Sequence, residues 1–155
     1  MDSAGVSLGG VDQLLNRLEG FDKKVRRKIE RRAIRKAGRP VLSTAKRLAP
    51  IADEYDVHDM EHEPGALQKS LRLRVLKSTA GRRRAGIYGV RIQAGADSHM
   101  FKGEQFYGGF VEFGTVHQMA QGFMAAAATE NQATSKEIFR TEITNYINEE
   151  GSKRG

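Results

Sequence analysis

Apolar residues recur every three or four positions from Phe21 to Leu48, and this spacing predicts one long amphipathic helix. Phe21, Val25, Ile29, Ala33, Ala37, Val41, Ala45 and Leu48 draw the stripe, and Ile34 and Leu42 widen it. Pro40 lies inside the pattern and lacks a backbone donor, so a kink or break is expected near residues 36–39. Ala49 and Pro50 end the helix. Ahead of it, Val11, Leu14, Leu15 and Leu18 mark a short helix over 11–19, with Asp12 as its cap and Gly20 as its stop. Residues 1–10 are small and glycine-rich and read as a flexible arm.

The period then changes. Residues 51–65 read as a loop in which six acids lie among few apolar residues, with Pro64 and Gly65 as the exit turn. Over 67–77, Leu71, Leu73 and Val75 alternate with Arg72, Arg74 and Lys77, the mark of a half-buried strand. Residues 79–84 read as a hairpin connection and 85–94 as the returning strand, with Ile87, Val90 and Ile92 inward. A polar loop over 95–106 leads to a third strand over 107–113, and a fourth is short or absent. A closing helix over 123–149 carries Met124, Ala128, Ile138, Phe139, Ile143, Tyr146 and Ile147 on its buried face, although residues 131–135 are polar. Sequential strands with short links favour an antiparallel sheet. The expected fold is therefore α+β: N-terminal helices, a small antiparallel β-sheet of three to four strands, and a long C-terminal helix packed on it. Residues 11–149 form a single domain between the arm over 1–10 and a frayed tail over 150–155.

Composition narrows the function. The chain has 155 residues and no cysteine, which excludes disulfides, thiolate chemistry and Cys-ligated zinc. No apolar run reaches the length of a membrane span, and the N-terminus lacks a signal-peptide pattern. Hydrophobic residues make up only 39%, so part of the burial is expected to come from neighbouring molecules. The net charge of +7 is concentrated: residues 22–47 hold twelve Lys and Arg against Asp22 and Glu30, and the rest of the chain is slightly acidic. A polyanionic partner would meet that one element.

The most distinctive stretch is Tyr107-Gly108-Gly109-Phe110-Val111-Glu112-Phe113-Gly114-Thr115, followed by Gln121-Gly122-Phe123-Met124 and an alanine run. As a strand it places Phe110 with Glu112 on one face and Val111 with Phe113 on the other. Glu112 among aromatic residues needs hydrogen bonds or a cation, since an unpaired buried carboxylate is costly. Gly114 permits a turn closed to other residues, and Thr115 can cap it. Phe113 is expected in the core, and loss of Glu112 is expected to disturb assembly more than folding. No nucleophile or base adjoins this segment.

This stretch resembles the signature of the HK97 gp10-like family of phage head–tail joining and tail-completion proteins, in which Tyr-x-x-Phe-Val-Glu-Phe-Gly-Thr precedes a Phe-Met pair at the start of the last helix. Ala49-Pro50, Gly65-Ala66-Leu67 and Ser70 are also similar to family features, so the resemblance runs over about 11–147. Where the family carries Pro before Phe-Met and Pro-Ala after it, this chain has Gly122 and Ala125-Ala126. The resemblance implies a non-enzymatic virion protein of the phage neck, assembled in the host cytoplasm. It implies a homo-oligomeric ring of six or twelve copies between a head connector or adaptor and a tail tube or tail terminator. Viral double-stranded DNA would pass through the channel, and no membrane is involved. Tyr107, Phe110, Glu112, Phe113, Gly114, Thr115, Phe123 and Met124 are then the motif and assembly residues.

Three other features carry alternatives. Lys23, Lys24, Arg26, Arg27, Lys28, Arg31, Arg32 and Arg35 are candidate contacts with DNA phosphates or with a partner. Against that stands a solvated or subunit-facing helix paired with nearby acids, such as those of 51–63. If the helix acts alone, the chain is a nucleic-acid-binding module using residues 23–47. Arg82, Arg83 and Arg84 form a second basic cluster at a hairpin tip, where an ordinary soluble loop is the plainer reading. His58-Asp59-Met60-Glu61-His62 matches the H-x-x-E-H order of a zinc peptidase class, with Glu61 as base. Its acidic setting before Pro64-Gly65 has no apolar periodicity to hold a helix in a core, so no metal or catalytic residue is expected. Gly108, Gly109 and Gly95 are too sparse for a phosphate-cradling loop, and no cofactor is expected.

Overall fold

The computed structural model describes residues 12–51, 65–77, 79–81, 89–94, 112–114, 116 and 119–154. Its elements are α1 (Asp12–Leu18), α2 (Lys23–Leu48), α3 (Ala66–Ser70), β1 (Leu71–Val75), β2 (Val90–Ala94), α4 (Phe123–Glu130) and α5 (Gln132–Arg154). The described part is mostly helical, with a two-stranded antiparallel sheet and a long C-terminal helix.

Helix α2 is the spine. Asp22 starts it, its Oδ1 accepting a hydrogen bond from the Lys24 N–H at 2.8 Å. The apolar stripe predicted from spacing is the buried face: Ile29, Ala33, Ile34, Ala37, Val41 and Ala45 are all buried. The helix does not break at Pro40 but runs 26 residues through it. Proline removes one in-helix hydrogen bond. Here that loss falls where the helix passes from one core cluster to the next, with both flanks held by packing. The first cluster joins Leu18 of α1, residues 29–37 of α2, and Phe139, Ile143 and Ile147 of α5. The second joins Val41, Ala45 and Ala49 to Leu71 of β1, Ile92 of β2, and Phe123, Ala127 and Ala128 of α4. Phe21 also meets Tyr146 edge to face, with ring centroids 6.3 Å apart.

The sheet is shorter than its alternation suggested. Residues 67–70, expected as strand, are helical: the Lys69 N–H donates to Gly65 O, and the Ser70 hydroxyl donates to Leu67 O. Alternation is informative only once both strand faces differ, which begins at Leu71. β1 and β2 pair from Leu71↔Ala94 to Val75↔Val90, and Leu76 N–H extends the ladder to Gly89 O. Residues 85–88 and 107–111 lie outside the described residues. Glu112 and Phe113, expected at the end of a third strand, form a helical turn instead.

The sheet rests on α2 at Gly38. A Cβ there would sit 2.8 Å from Leu73 Cδ1 and 2.9 Å from Val90 Cγ2, so the missing side chain sets the helix–sheet distance. The closing helix is two helices. At Asn131 the side chain donates to Ala127 O at 2.9 Å and to Thr44 Oγ1 at 2.8 Å. Asn side chains compete with the helical ladder in this way, and this one ties the break to the buried Thr44 of α2. The second helix then continues past Gly151, where fraying was expected, to Arg154.

Two stability changes test this packing. Gly38→Val should lower stability by about 2 kcal/mol through overpacking; an unchanged urea midpoint would mean that the sheet does not sit on α2. Phe139→Ala, at a fully buried ring, should cost about 3–5 kcal/mol.

Candidate assembly and nucleic-acid interface

Glu112 and Phe113 have exchanged the positions that polarity alone would give them. Glu112 is 7% exposed and Phe113 is 55% exposed. The exposed ring corrects the core placement expected for it. Period-two alternation does not apply to a helical turn, so the inward position that a strand would give Phe113 is not the one it takes.

The Glu112 carboxylate is satisfied by the start of α4. Its Oε2 accepts a hydrogen bond from the Met124 N–H at 2.8 Å, and its Oε1 accepts one from the Ala125 N–H at 3.0 Å. These are the second and third amides of a helix whose own cap, Gly122, has no side chain to offer. Glu112 therefore caps α4 from upstream, 12 and 13 residues ahead of the two amides that it accepts from, with its charge on the positive end of the helix dipole. The backbone closes the same junction, as Gly122 N–H donates to Glu112 O at 3.2 Å. Gly114 (φ 76°) and Gly122 (φ 55°) hold the left-handed conformations inside this closure, where a Cβ would be strained. Phe123 is anchored in the second core cluster, and Met124 packs at its edge.

Between these anchors the loop turns apolar side chains outward. Val116 is 99% and Met119 88% exposed, and Phe113 ahead of them is half-exposed. Sequence reading did not single out Val116 or Met119. The available signal was two apolar residues in a segment with no periodicity to bury them.

The cations of α2 divide into two groups. Arg26 lies beside Glu30 at 3.6 Å, Arg32 and Lys36 converge on Glu142 of α5, and Arg47 meets Glu130 of α4 at 2.8 Å. Arg32, Lys36 and Arg47 fasten the spine to its neighbours, while Arg26 and Glu30 pair one turn apart within α2 itself. Lys23, Lys24, Arg27, Lys28, Arg31, Arg35, Arg39 and Lys46 are exposed and have no ion-pair partner among the described residues. Arg26 and Arg32, grouped by sequence with the candidate DNA contacts, thus belong to the internal set. Arg39 and Lys46 join the external one.

A groove of about 150 Å³ between α2 and α5 is lined by Arg32, Lys36, Glu142, Asn145, Tyr146 and Glu149, among others. Partial burial, then the Glu150 carboxylate, pushes the Tyr146 phenol up from its ordinary value, which places its titration far above neutral pH. Tyr107, Phe110, Thr115, His58, Glu61, His62 and Arg82 to Arg84 lie outside the described residues. Among the described residues no cluster of His, Asp or Glu could hold a metal ion, and no helix is long and apolar enough to cross a membrane.

Residues 12–114, about two thirds of the chain, match the family described as "Bacteriophage HK97-gp10, putative tail-component". The chain belongs to the HK97-gp10-like family. The matched span includes α1, α2, the sheet and the motif through Gly114, while Thr115, Phe123 and Met124 lie beyond it. No match was found among curated proteins or among solved structures.

Because both partners of the Glu112 carboxylate are in its own chain, Glu112→Ala should lower folding stability by about 1–2 kcal/mol, the usual cost of losing a helix cap. Glu112→Gln, which keeps one acceptor oxygen, should lose less. Equal urea midpoints for Ala, Gln and wild type would remove the cap from the account.

Proposed function

We infer that this chain is a structural subunit of the phage neck, forming a ring that joins the DNA-filled head to the tail. The observation that carries this reading is family membership, taken with a closed loop that presents Phe113, Val116 and Met119 to solvent. A loop that spends its one carboxylate on internal closure and leaves its large apolar side chains outside is suited to burying them against another protein surface. Identical subunits in a ring use one patch against a different patch on the neighbour, which closes the ring without symmetry at the patch itself. The ring holds six or twelve copies, with a head connector or adaptor on one side and a tail tube or terminator on the other. The genome passes through its channel. The role is one of assembly, with the tertiary core supplying stiffness and the loops supplying contact.

A second reading, a free-standing nucleic-acid-binding module, draws on the external cations of α2. It predicts DNA binding by single chains with no ring.

Electron microscopy of the native assembly separates the two. The neck reading expects a closed ring around one axis, stacked on a connector. Single chains scattered along DNA would overturn it. Replacing Phe113, Val116 and Met119 together by Ser should abolish the ring while leaving the thermal midpoint of the monomer nearly unchanged, because none of the three is in a core cluster. A full ring from that variant would remove the loop from the interface.

A further inference from the structure

The external cations of α2 form a single row. Lys24, Lys28, Arg31, Arg35, Arg39 and Lys46 recur at spacings of three, four or seven residues. At 100° per residue they fall within an arc of roughly 80°, opposite the buried stripe. At 1.5 Å per residue the row is about 33 Å long. We propose that this row is a binding surface for the phosphate backbone of duplex DNA.

The row is unfavourable for the helix that carries it. Like charges three and four residues apart destabilise a helix, and here four such steps follow one another from Lys24 to Arg39. The first turn of α2 holds Lys23 and Lys24 and no acid, which sets cations on the positive end of the dipole. Acids are at hand on α4 and α5, but the described ion pairs direct them to Lys36, Arg32 and Arg47 instead. A stiff helix whose row of cations has no ion-pair partner among the described residues is the complement of a stiff polyanion. The length of the row is close to one turn of B-form DNA, about 34–36 Å. The arc carries no aromatic residue on which unpaired bases would stack, which favours the duplex over a single strand. Phosphate contact of this kind is independent of sequence and is driven by counterion release. The inference deepens the neck reading by naming what the ring touches, and rests on it only for the source of the DNA.

The test is the salt dependence of binding by the full chain to a mixed-sequence duplex of roughly three turns. Two triple variants remove the same charge: Lys28→Gln, Arg31→Gln, Arg35→Gln on the row, and Arg17→Gln, Arg72→Gln, Arg91→Gln at exposed positions away from it. Circular dichroism checks that both are folded. Each phosphate that a variant no longer neutralises reduces the slope of log K against log salt by about 1, so the row triple should flatten it by about 3 and the other triple should leave it unchanged. Equal flattening in both triples would reduce the effect to net charge and overturn the proposal. So would an unchanged slope in the row triple, or no duplex binding by wild type at low salt. Loss of self-assembly in the row triple with unaltered DNA affinity would assign the row to an acidic protein surface, and would overturn it as well. Row-dependent binding by chains that form no ring would leave this inference standing and the neck reading fallen.

Discussion

One helix runs through the whole core. α2 passes through both core clusters, and every other described element packs against one of them. This arrangement explains why a proline is tolerated at position 40. A helix held only by its own ladder would lose stability there, but α2 is clamped by α5 ahead of Pro40, by α4 beyond it, and by the sheet on both sides of it. The junction also carries Gly38, where the sheet approaches the helix closely enough to exclude a Cβ. The two cores are thus set in register by a stretch of three residues, and the two-stranded sheet, marginal in isolation, is stable because it has that helix to rest on.

Glu112 plays the corresponding part at the other end of the chain. Helix α4 begins with glycine at its cap and alanines in its first turns, so it has no local means of satisfying its first amides. A carboxylate from upstream supplies the acceptors and in doing so closes the loop that leads into the helix. The charge is buried because the helix end stabilises it, and the neighbouring phenyl ring is left outside because the turn that aims the carboxylate inward aims Phe113 away. The exposed apolar surface is therefore a consequence of how the helix is capped, and the same junction connects stability to assembly.

The cations follow the same division of labour. Those near the edges of the buried stripe find acids on α4 and α5 and fasten the helices together. Surface ion pairs contribute little individually, about 0–1 kcal/mol each, so their main effect is on orientation. Those on the far side of α2 have no such role within the described chain.

Much of this was legible in the sequence. The 3.6-residue period gave α2 and its buried face, Leu71 to Val75 gave β1, and the motif around Glu112 gave the family. These features are local: a helix stripe or a short motif can be recognised without knowing its neighbours. What the period could not give is where a residue's partner lies far along the chain. The helical turn at Glu112 depends on amides more than ten residues away, and the break at Asn131 depends on Thr44, 87 residues distant. The continuity of α2 through Pro40 depends on two cores being on either side of it. The sequence by itself determined which face of each helix is apolar, how charge is distributed along the chain, and which family it resembles, because these are properties of spacing and residue type. Only the tertiary structure decided which cations are spent inside, which remain outside, and that Glu112 turns in while Phe113 turns out, because burial is settled by contacts between segments that are remote in the chain.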